Sequence, residues 1–162
     1  MSAGFVGAAA LHLSHLGRAQ HDSGDPAAAS TLHRAMDGAE QAGDLRLLAG
    51  IRVALAAVLR GTGDRPAAHS LLVAATRWYA LSGAWEGAAL AACLLATQRA
   101  EDGEPDAEAD LRSILTAARE VGDRDVETRA SSALDGAPAL IDVSATGPHA
   151  PARTARTRSA TG

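Results

Sequence analysis

The chain has 162 residues, a formal net charge of −4, 47% hydrophobic residues and only 2% aromatic ones. That length holds one domain of ordinary size, and abundant alanine with few aromatics suits closely packed helices and argues against a β-rich fold. All 15 basic residues are arginine, and Cys93 is the single cysteine, which excludes an internal disulfide framework and leaves a reducing cytoplasm as the expected compartment.

The first element begins near residue 4, where the apolar run Phe5 to Leu11 continues into Leu13 and Leu16. No basic leader precedes it, so it reads as a helix and not as a signal peptide, and no apolar run in the chain reaches membrane length. Gly24-Asp25-Pro26 punctuates its end. The next helix carries Ala28, Leu32 and Ala35, spaced by four and then three, which puts them on one stripe. Gly43 closes it. A third helix carries Ile51, Leu55 and Leu59 up to Gly63-Asp64-Arg65-Pro66, and a fourth carries Ala68, Leu72 and Ala75 up to Gly83. A fifth, with Leu90, Leu94 and Leu95, ends at Gly103-Glu104-Pro105; a sixth, with Ala107, Leu111 and Ile114, ends at Gly122. The last, Asp123 to Leu134, places Val126, Ala130, Ala133 and Leu134 on one side.

These elements repeat. The Gly-Asp-Pro-like turns recur at separations of 39 and 40, the closing glycines at 40 and 39, and Leu16, Leu55 and Leu95 at 39 and 40. In each turn glycine supplies the left-handed residue that ends a helix, aspartate can cap the next one, and proline sits where its missing N–H is harmless. A fixed period of this length marks stacked helical hairpins, none of which buries its apolar face alone. The expected units are 4–43, 44–83 and 84–122, followed by a capping helix at 123–136. Residues 137–162 turn to Pro, Ala, Thr and Arg and are expected to be a disordered tail. Residues 143–162 hold Arg153, Arg156 and Arg158 and no acid, whereas the body is acidic. Three arginines are few, so nucleic acid is not the expected partner.

Leu16-Gly17, Gly24, Ala28, Leu32 and Ala35, and more closely Leu55, Ala56, Leu59, Gly63, Ala68, Leu72 and Ala75, resemble the tetratricopeptide repeats. Ala56 stands where that family prefers glycine, and Ile114 where it prefers a small residue. The period is longer than the family's usual length of about 34 residues, and is similar to that of repeats in large bacterial signal-transduction and transcriptional regulators. The resemblance implies an all-α, right-handed α-α superhelix of three hairpins plus the cap. It also implies a concave groove, lined by the first helix of each hairpin, that holds a segment of a partner protein. HEAT-like repeats, a scaffold of similar period, are the alternative fold.

Carried over by helical position, that groove would present Leu11, Ser14, Arg18 and His21, then Val53, Ala57 and Arg60, then Leu90, Cys93, Thr97 and Glu101. Arg18 and Arg60 are the candidates to clamp a carboxylate, because a guanidinium binds one bidentately. Trp78, Tyr79 and Trp85, three of the four aromatics, form a second candidate contact surface, with a plug between diverging helices as the structural alternative. The first helix has no evident cover, which leaves a homodimer through it open.

No catalytic constellation emerges. His12 and His15 lie at i, i+3, but no further ligand of convincing spacing completes a metal set. Cys93 lies among Ala91, Ala92, Leu94 and Leu95, where a thiol behaves as a small apolar group. The acids from Glu101 to Asp110 straddle a turn and a helix start, where they favour the helix dipole. The expected function is therefore a non-catalytic protein-interaction module of a regulatory system, without cofactor or metal. A small-molecule sensor of such a regulator is the alternative from a different class.

Overall fold

The computed structural model describes residues 3–136, and the expected tail lies outside the described residues. The fold is all-helical. Its seven helices are α1 (Ala3–Asp22), α2 (Ala28–Ala42), α3 (Leu45–Thr62), α4 (Arg65–Ser82), α5 (Trp85–Glu101), α6 (Ala107–Val121) and α7 (Arg124–Gly136), with no strand among the described residues.

The turns follow from their glycines. Gly24, Gly43, Gly63, Gly83, Gly103 and Gly122 have φ between 69° and 88°, and they are the only described residues with positive φ. After α2 the Gly43 N–H bonds to Glu40 O and the Asp44 N–H to Ala39 O, a Schellman pair that satisfies the last carbonyls. The same pairing recurs at Gly63 and Gly103. Asp44 and Asp64 then cap α3 and α4 by accepting from the Leu47 N–H at 2.9 Å and the Ala67 N–H at 3.2 Å. Asp123 accepts from the Val126 N–H at 3.1 Å at the start of α7. Ala84 holds the corresponding place before α5, which therefore has no side-chain cap.

The core is built from the repeated stripes. Ala28, Leu32, Ala35, Ala68, Leu72, Ala75, Ala107 and Leu111 are all at most 2% exposed. Gly17, Ala56 and Ala96, separated by 39 and 40 residues, form a second buried row on α1, α3 and α5. These small residues let the paired helices approach: a Cβ at Gly17 would lie 2.6 Å from Leu32 Cγ. Val126 and Ala130 of α7 bury against Cys93, Ala96, Leu111 and Ala118 and cover the third hairpin.

Each helix packs on the next in the chain. In addition the backbone of α1 approaches α3, that of α3 approaches α5 and that of α5 approaches α7, whereas the backbones of α2, α4 and α6 stay apart among the described residues. The odd-numbered helices thus form one continuous layer and the even-numbered helices a separated one.

Leu16 departs from the stripe expected on α1. It is 50% exposed, whereas its counterpart Leu55 is fully buried. Leu55 packs into the core formed with α2; the face of α1 that carries Leu16 and Phe5 has no described helix against it.

Candidate functional site

Helix α1 presents Leu11, Ser14 and Arg18 at i, i+3 and i+7, so all three share one face. Arg18 reaches across to α3 and donates from Nη2 to the Gly50 carbonyl at 3.1 Å. The third wall comes from the other layer. Tyr79, on α4, lays its ring over Gly87 of α5, where any β-carbon would overlap the ring, and brings its hydroxyl beside Gly50. The Tyr79 ring is 9% exposed and meets Trp78 edge to face at 5.2 Å and 73°. A side chain of the even layer therefore passes between α3 and α5 and emerges on the odd layer.

Three cavities converge on Arg18. A cleft of about 680 Å³ between α1 and the start of α3 is lined by Leu11, Ser14, Arg18, Leu47, Gly50 and Tyr79, among others. A second, of about 250 Å³, runs from Arg18 past Val53 and Tyr79 to Gly87 and Leu90. A third, of about 240 Å³, continues past His21, Val53, Ala57 and Leu90 to Arg129 of α7. Leu11, Ser14, Arg18, His21, Val53, Ala57 and Leu90 are thus brought onto one face.

The remaining expected groove residues are placed otherwise. Arg60 donates to Glu101 Oε1 at 2.8 Å, an ion pair that Arg65 extends to Glu101 and Asp102. Its charge is met by α5, so Arg18 and Arg60 do not form a joint clamp. Cys93 is fully buried in the α5–α6–α7 core and does not face the groove. Burial pushes its thiol above the ordinary value, against a hydrogen bond from Thr97. Thr97 itself is half-buried and donates to the Cys93 carbonyl at 2.8 Å. Trp78 is half-buried against the cluster of Ala49, Val53, Ala75, Tyr79 and Ala91. Trp85 opens α5, and its side chain lies outside what the structure describes.

The electrostatics of the site differ from those of the acidic body. Arg18 and Arg46 face Tyr79, and burial nonetheless pushes its phenol above the ordinary range, so the hydroxyl stays protonated at neutral pH. Asp44 lines the large cleft but is committed to the first turn of α3. Among the described residues no cluster of histidine, cysteine and acids could hold a metal ion, and no helix is long and apolar enough to cross a membrane.

Sequence reasoning missed Gly50, Gly87, Leu47 and Arg46. Two signals were present, since Gly50 and Gly87 interrupt helices otherwise rich in strong formers, and an interior helical glycine usually marks a close approach. They stand 37 apart, outside the repeat, so periodicity could not find them.

No family model, no curated protein and no solved structure matches this chain.

Proposed function

We propose that the chain is a tetratricopeptide-like solenoid that docks a segment of a partner protein along the face of α1, α3 and α5, without chemistry, in a regulatory system. The observation that carries this reading is the run of three cavities meeting at Arg18, which together cross the odd-helix layer from α1 to α7. The period of about 40 residues and the contact of odd helices with one another support it, because a layer in which successive helices touch lies on the inside of a curved stack. Alanine-rich pairing keeps that face rigid and leaves few large side chains in the groove.

The test is affinity purification of the chain and of two variants, followed by mass measurement of the intact complex. Arg18→Glu reverses charge at the centre of the groove, and Val73→Arg adds charge on exposed α4. One protein recovered at a fixed ratio, lost with Arg18→Glu and kept with Val73→Arg, is the expected result. Recovery unaffected by Arg18→Glu, or lost equally with both variants, would sink the proposal.

A further inference from the structure

The large cleft contains hydrogen-bond donors that the protein itself does not use. Ser14 is 4% exposed and lines the cleft, yet makes no hydrogen bond among the described residues. Several other hydroxyls in these helices bond back to a carbonyl one turn earlier: Ser70 to Pro66, Thr97 to Cys93, Thr116 to Arg112 and Thr128 to Arg124. Ser14 makes no such bond, and neither does Thr76 on α4. The Tyr79 hydroxyl also lacks a hydrogen bond among the described residues, and Arg18 commits one N–H to Gly50, which leaves most of its five donors available. Two hydroxyls and a guanidinium therefore line one cleft with donors open to a ligand.

The opposite wall is apolar or featureless, with Gly4, Gly7, Ala8, Leu11, Ala42 and Leu47. The volume of about 680 Å³ falls within the range of small-molecule sites, roughly 300–1,000 Å³. The one carboxylate in the lining, Asp44, is held by the Leu47 N–H, and His15 lines the same cleft. An acceptor-only, negatively charged head on an apolar stem matches both walls.

We propose that the cleft between α1 and α3 binds a small amphipathic carboxylate, its head held by Ser14, Arg18 and Tyr79 and its stem lying along Leu11 and Leu47. Tyr79 is the positioning element of the site, since the absence of a side chain at Gly87 is what lets its ring pass between α3 and α5. The ligand would occupy the α1 end of the same face that docks a partner, so the two would compete. The site nonetheless stands without the docking reading, because its test uses the isolated chain.

Tyr79 is the only tyrosine, so ring resonances of a tyrosine-labelled chain report this cleft and the smaller cavity that adjoins it at Arg18. Titrations with octanoate, octanol and acetate separate the contributions of head and stem. Octanoate should shift the ring resonances saturably at one site per chain, with octanol and acetate each at least about tenfold weaker, the scale of one charge-assisted hydrogen bond. By calorimetry, Arg18→Ala should weaken octanoate at least about tenfold and leave octanol unchanged. Tyr79→Phe keeps the ring on Gly87 and removes only the hydroxyl, and should weaken octanoate about threefold or more. Absence of saturable octanoate binding, octanol binding within a factor of about three of octanoate, or full octanoate affinity in either variant would each overturn the proposal. None of those results alters partner recovery, so failure of this site and failure of docking remain distinct.

Discussion

The first and third hairpins close the same unit by different means. Between α1 and α2 the contact is glycine against apolar side chain: Gly17 under Leu32, Gly38 against Ala10, Gly7 beside Ala42. No ion pair joins these two helices among the described residues. Between α5 and α6, Arg99 spans the turn to Glu104 at 2.7 Å and Asp110 at 2.6 Å, and α6 and α7 add Arg119 to Glu127. Close approach is intolerant of a single methyl group, because an interior packed to crystal density has no room to give. Half-exposed ion pairs tolerate change but depend on salt. One repeat can therefore diverge in surface chemistry while its apolar stripe stays fixed.

The sharpest test is of the stripe both hairpins share. Leu32 and Leu111 are both fully buried, so Leu32→Ala and Leu111→Ala should each lower stability by about 2–5 kcal/mol in urea unfolding. A loss below about 1 kcal/mol at Leu111 would show that ion pairs, and not the stripe, hold the third hairpin. Next comes the glycine contact. Gly17→Ala should destabilise by about 1–3 kcal/mol through overpacking, whereas Gly61→Ala, also helical but open to space, should stabilise by about 0.5–1 kcal/mol. Equal effects at the two positions would refute close approach as the basis of the first hairpin.

Caps give smaller effects of known sign. Ala84→Asp should add about 1 kcal/mol by supplying the cap that α5 lacks, and Asp64→Ala should remove about as much from α4. Arg99→Gln should cost less than about 1 kcal/mol for each ion pair lost, with the difference vanishing near 1 M salt. A salt-independent loss would mean that the Arg99 stem packs more than it pairs. Finally, burial raises the phenol of Tyr79, so the folded state disfavours the phenolate. The stability linked to this group is complete below about pH 10, the ordinary tyrosine value, and declines as pH rises toward and through the folded value. An ultraviolet titration in which the native tyrosine ionises at the ordinary value would contradict the burial of its ring.

Much of the helical layout was legible because its determinants are local. A glycine at φ near 70° is demanded by the turn itself, and the spacing of Ala28, Leu32 and Ala35 selects one helical face without reference to any partner helix. The groove was legible only in part. Leu11, Ser14, Arg18, His21, Val53, Ala57 and Leu90 follow from helical position, but Cys93 turned inward and Arg60 turned to Glu101. Helical position gives the direction of a Cα–Cβ bond and not which neighbour a long side chain finds. Leu16 fails for a related reason, since burial of a repeated residue requires a neighbouring helix as well as a repeated sequence.

Period, punctuation and small-residue stripes thus determined by themselves that this chain folds as paired helices, because they act within a turn or two of the backbone. Only the tertiary structure decided that Tyr79 crosses from one layer to the other over Gly87, and that Arg18 bridges to Gly50. Those contacts join residues from different hairpins, and their free energy depends on distances that no local pattern encodes.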